Sequence, residues 1–160
     1  MLINYAAEPQ LHEMKAEILS HFGLERMRLE DAAFELQVDL EMWHCDSGYS
    51  EGSTGQAAFD PYEDFLRFAA ELCFDPSVPA DSALVGITHR QMYLLCAWNF
   101  VEIASYFSRT PIHHGVAPAE GDRMTGLYRS AAGKLIECAR DFPLDCYPCG
   151  SPSVQTGLWN

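Results

Sequence analysis

The sequence predicts an all-α, single-domain bundle of five or six helices. Three observations predict it. Several stretches repeat apolar residues at three- and four-residue spacing, two capping-box patterns stand directly before apolar runs, and no two alternating segments of similar length exist to pair as strands. At 160 residues the chain is of ordinary single-domain size, with 48% apolar and 21% charged residues, and no repeat or linker divides residues 1–160.

The first helix is expected over residues 8 to 22, where Leu11, Met14, Ile18 and Phe22 share a face and Gly23 offers a stop. The next stretch, residues 27 to 45, carries an ambiguity. In FELQVDLEM, apolar and polar residues alternate as in a half-buried strand. A lone strand, however, would leave its backbone groups without partners. Taken as a helix, the same region puts Leu29, Ala32, Ala33, Leu36, Leu40 and Trp43 on one face, so the helix is preferred. Residues 47 to 58, rich in Gly and Ser at their start, read as a flexible loop.

Asp60-Pro61-Tyr62-Glu63 opens a third helix, with Asp60 as cap, Pro61 in the first turn and Glu63 able to complete a capping box. Phe65, Leu66, Ala69 and Leu72 form its buried stripe, and DPSVPAD from 75 to 81 ends it. Thr88-His89-Arg90-Gln91 is the second capping box. The run that follows is apolar nearly all round, so a central buried helix is expected near 89–109, closed by Pro111. After the loop PIHHGVAP, Met124, Leu127, Tyr128, Ala131, Leu135, Cys138 and Phe142 mark a last amphipathic helix. Gly126 and Gly133 within it point to close packing on a neighbour. Three prolines make 143–160 an irregular tail.

The charge is unevenly placed. The net charge is −13, and residues 30 to 81 hold thirteen acids against the single base Arg67, leaving the rest of the chain close to neutral. Such a field repels nucleic acid and anionic membranes and attracts basic proteins, although it also serves plain solubility. The N-terminus shows neither a basic segment nor an apolar core, and no apolar run is long enough to cross a bilayer, so a cytoplasmic location is expected. The six cysteines are then read as reduced, with Cys73, Cys96 and Cys138 as small core residues.

The helical reading of 27 to 45 leaves Phe34, Val38 and Met42 on a second stripe away from the core, with Asp31, Glu35 and Asp39 in a row beside them. Like charges at i, i+4 oppose helix formation, so this row is not what folding alone favours. Apolar anchors flanked by carboxylates do suit a docking face for a basic protein. The expected partner-binding set is Asp31, Phe34, Glu35, Val38, Asp39, Met42, Asp46 and Glu51. The competing account is that another helix covers the stripe and the acids are merely solvated.

Other chemistry is thinly signalled. Glu41-x-x-His44 has the ligand spacing of di-iron bundles, but no second such motif occurs. Cys146 and Cys149 form a CxxC that with His44 and Cys45 would make a four-ligand zinc set. Two adventitious thiols are the simpler account, so no metal and no cofactor are expected. His113 and His114 are adjacent and cannot easily chelate one ion together. Glu102, the one acid in the central apolar run, is expected to pair with an arginine or to be functionally tuned. No nucleophile signature and no phosphate-binding glycine loop is present.

In size, acidity, helical content and lack of a catalytic motif, the chain resembles bacterial immunity proteins and antitoxins. That resemblance implies a non-enzymatic inhibitor that occludes the cationic active cleft of a toxin. The alternative is a small helical enzyme or metalloprotein using Glu41, His44, Glu102 and the Cys146/Cys149 pair.

Overall fold

A computed structural model describes residues 8–22, 26–46, 60–72, 87–109 and 118–142, and these form an all-α bundle. The helices are α1 (Glu8–Ser20), α2 (Arg26–Asp46), α3 (Pro61–Leu72), α4 (His89–Arg109) and α5 (Pro118–Asp141). The loop expected at 47–58, the stops at Gly23, 75–81 and Pro111, Cys73, the His113–His114 pair and the tail at 143–160 lie outside the described residues.

The central helix is α4, as expected. Residues Met92 through Trp98, with Phe100, Val101 and Ala104, are all buried. Its start is held by a reciprocal box: the Gln91 amide donates to Thr88 Oγ1 at 3.0 Å, and the Thr88 amide donates to Gln91 Oε1 at 2.9 Å. Ile87 before the cap and Met92 in the first turn are both buried, at the two positions of a hydrophobic staple.

Helix α5 makes the most extensive contact with α4, using Ala131, Ala132, Leu135, Ile136 and Ala139 as its buried stripe. It begins earlier than the apolar pattern implied. Pro118 suits a first helical position, since its missing N–H would have no partner there, and Glu120 follows in the first turn, paired with Arg123. The far end of α5 is capped from α4: Arg90 Nη2 donates to the carbonyls of Arg140 at 3.0 Å and Phe142 at 2.6 Å. The two helices are therefore antiparallel. Close packing at both glycines of α5 does not occur. A Cβ on Gly126 would meet nothing within 4 Å, and one on Gly133 would make an ordinary 3.6 Å contact with Met14.

Helices α1 and α2 each pack on α4, while α3 packs on α5 and α2. Leu11 and Ile18 bury the inner face of α1, whose helix stops at Ser20, two residues short of the expected end. There the amides of His21 and Phe22 tighten into turns, onto the carbonyls of Ile18 and Leu19, each at 3.1 Å. Lys15 reaches from α1 to α4, paired with Glu102 and placed 4.9 Å over the Trp98 ring. Glu102 is thus paired as expected, but its partner is a lysine. It stands at an exposed position, where a lysine ammonium with a long stem can reach it and still cover the tryptophan.

Helix α3 opens on the expected Asp60 cap, although among the described residues no Glu63 bond completes a capping box. Asp60 Oδ1 accepts from the Tyr62 amide at 3.0 Å, and the Asp60 carbonyl accepts the first helical bond from Asp64. Phe65, Phe68 and Ala69 are buried, so Phe68 joins a stripe that the spacing had drawn through Leu66. Among the described residues no helix is long and apolar enough to cross a membrane.

Candidate functional site

The opening ambiguity resolves into one continuous helix. Leu29, Ala32, Ala33, Leu36 and Leu40 of α2 are buried against the bundle, and Asn99 Nδ2 of α4 donates to the Ala33 carbonyl at 2.7 Å. Trp43 is half-buried at the end of this stripe, its Nε1 bonded to the Glu71 carboxylate and its ring set edge-on to Phe68 at 5.9 Å.

The opposite face of α2 is apolar and exposed. Phe34 is 70% exposed, Met42 59% and Val38 36%, and among the described residues the only other large apolar side chain so exposed is Tyr106. Of the acids beside the stripe, Asp31 is exposed while Glu35 and Asp39 are half-buried. Partial burial, and then the neighbouring Glu35, hold the Asp39 carboxyl above its ordinary value. The side chain of Asp46, and Glu51 as a whole, lie outside the described part of the molecule.

A second feature adjoins this face. A cleft of about 390 Å³ opens where four helices meet. Helix α2 lines it with Gln37, Leu40, Glu41, His44 and Cys45, α3 with Pro61 and Asp64, α4 with Phe100, and α5 with Met124 and Tyr128. Asp64 is buried, and both its oxygens lie 3.1 Å from His44 Nδ1. A buried carboxylate needs such a partner to offset its lost hydration. Gln37 Nε2 donates to Glu41 Oε1 at 3.2 Å, whereas Gln37 Oε1 is buried with no hydrogen-bond partner among the described residues. An amide oxygen left so costs about 1–3 kcal/mol.

The helical period joins the two features. Glu41 follows Val38 by three residues and Phe34 by seven, and Cys45 stands in the same relation to Met42 and Val38. The exposed stripe therefore has the acid row on one side and the mouth of the cleft on the other.

Asp64 escapes sequence reasoning. A carboxylate in the first turn reads as a solvated complement to the helix dipole, and Asp64 has that position. A signal was there: it sits three residues after Pro61 and four before Phe68, inside the apolar sector of α3. Of the residues named for a catalytic or metal alternative, Glu41 and His44 meet at the cleft. Glu102 is paired with Lys15 and does not line it, and Cys146 and Cys149 lie outside the described residues. Among the described residues no three His, Cys, Asp or Glu side chains gather as metal ligands. Cys45, Cys96 and Cys138 are free thiols, and burial pushes the Cys96 thiol well up, toward an inert core role. Comparison with known proteins finds no family model, no curated protein and no solved structure that matches this chain.

Proposed function

We propose that this chain is an acidic interaction protein of the immunity or antitoxin type, which docks the outer face of α2 on a basic partner and occludes that partner's cationic cleft. The observation that carries the reading is the exposed stripe of Phe34, Val38 and Met42 beside Asp31, Glu35 and Asp39. Large apolar side chains held out of the core on a helix with a well-buried opposite face add nothing to folding, but they supply anchors to an interface. The carboxylates supply long-range attraction and register. A concentration of negative charge in residues 30 to 81 supports the same reading.

The test is association with the product of the adjacent coding sequence, measured by stopped flow across a salt series. Replacing Asp31, Glu35 and Asp39 together by Lys should slow association about tenfold or more at low salt and leave the helical circular dichroism unchanged. An unchanged rate would remove α2 from the interface. The alternative, a small helical enzyme or metalloprotein, retains Glu41 and His44 at one cleft. Stoichiometric zinc or iron in the purified protein would favour it.

A further inference from the structure

The ridges of side chains on the outer face of α2 differ in chemistry. Phe34, Val38 and Met42 follow one another at i, i+4 and i+8 and rise about 12 Å along the helix, with exposed Glu30 one step ahead on the same ridge. Asp31, Glu35 and Asp39 form the ridge on one side, and exposed Glu41 stands on the other. From Glu30 to Cys45 the sequence holds no Lys or Arg, and His44 is engaged with the buried Asp64. The apolar ridge is thus bordered by carboxylates on both flanks and at its N-terminal end. Crowding already acts on this border: burial first, and then Glu35, hold the Asp39 carboxyl above its ordinary value. Cations laid along the row would relieve the repulsion from Glu35.

This border argues against one occupant and describes another. A second copy of α2 laid on the first would set carboxylate against carboxylate in either direction. Antiparallel, the two acid rows face each other; parallel, each row faces Glu41 of the other copy. The covering element must instead bring an apolar row about 12 Å long with cations along both edges. One strand cannot do so, because its edges are backbone and the flanking cations would have to come from neighbouring strands. One helix can, since residues at i±3 stand on either side of an i, i+4 ridge. Such a ridge seats in the grooves beside Phe34, Val38 and Met42 when the two helix axes cross at about −50°. We infer that the element of the partner covering this ridge is a basic amphipathic α-helix, with an apolar i, i+4 row flanked on both sides by Lys or Arg. This rests on the docking reading and names the element that the docked partner contributes.

The inference can be tested on the intact chain without the partner. The probe is a fluorescent peptide of about 15 residues, made only of leucine and lysine ordered at helical spacing. Anisotropy should show saturable one-to-one binding at micromolar concentration, and ¹⁵N spectra should place the shifts on α2 around Phe34, Val38 and Met42. A peptide of the same composition in strictly alternating order carries the same charge but presents a strand face, and should bind about tenfold more weakly. Phe34→Ala, at an exposed position, should weaken the helical peptide about tenfold. Glu13→Gln and Glu137→Gln, at exposed positions on α1 and α5, should change its affinity by less than about twofold. Equal binding of the alternating peptide, indifference to Phe34→Ala, or a comparable loss from Glu13→Gln or Glu137→Gln would each overturn the assignment, leaving only attraction to net charge. A dimer of the protein alone that Phe34→Ala disperses would give the ridge to a second copy, and would also overturn it. A failure here with charge reversal still slowing the partner removes the helical element alone. A partner indifferent to charge reversal removes the docking reading itself.

Discussion

Helices α2 and α4 are each 21 residues long, and both are rich in large apolar side chains, yet they spend them differently. In α4 nearly the whole circumference is covered, because α1, α2 and α5 surround it. In α2 one face is covered and the opposite one carries Phe34 and Met42 into solvent. Apolar content alone therefore does not report burial; position at the centre or the rim of the bundle decides it. For α4 the apolar excess is explained by its neighbours within the chain. For α2 none of the described helices explains it, and the partner proposed above would.

The comparison can be broken by matched truncations. Trp98→Ala in α4 should cost about 3–5 kcal/mol in urea unfolding, since it empties a buried site and removes the ring under Lys15. Phe34→Ala in α2 should stay within about 0.5 kcal/mol of the parent. A large loss at Phe34 would mean that the stripe belongs to the fold. A smaller effect comes from the start of α4: Thr88→Ala should cost about 1 kcal/mol, by removing one of the two bonds of the capping box.

The smallest effect sharpens the account of the acid row. Because the Asp39 carboxyl is raised in the folded chain, the native state holds that proton more readily than the unfolded state does. Its contribution therefore opposes folding at neutral pH, and the penalty is relieved as pH falls through the raised value. Asp39→Asn should raise stability at pH 7 by a few tenths of a kcal/mol, and the two proteins should converge in acid. Urea midpoints at pH 7 and pH 4 check this. No gain at pH 7 would show that the row carries no strain from its like charges.

What could be read from the sequence was local. The Thr88–Gln91 box, the Asp60–Pro61 start and the two faces of α2 depend on residues within one or two turns, and the structure has each of them. The early start of α5 was missed because Pro118 and Glu120 signal through capping chemistry and not through apolar period. The cleft was missed for a different reason. It is assembled from four helices, and neither Phe100 nor Tyr128 indicates in sequence that it will share a space with Glu41. Whether a first-turn carboxylate such as Asp64 is solvated or sealed depends on what packs over it, and here that is His44 from another helix.

The grip of Arg90 on the last carbonyls of α5 has a consequence in time. It joins the first turn of α4 to residues about fifty positions later, where α5 ends, so the two helices close at that end as one hairpin. Such a closed hairpin is a natural unit of cooperative opening. Amides of α4 and α5 should exchange with solvent last and together, while α2, packed on α4 and α3, opens at lower cost. The helix proposed to meet the partner is then tied to the rest of the fold less tightly than α4 and α5 are to each other.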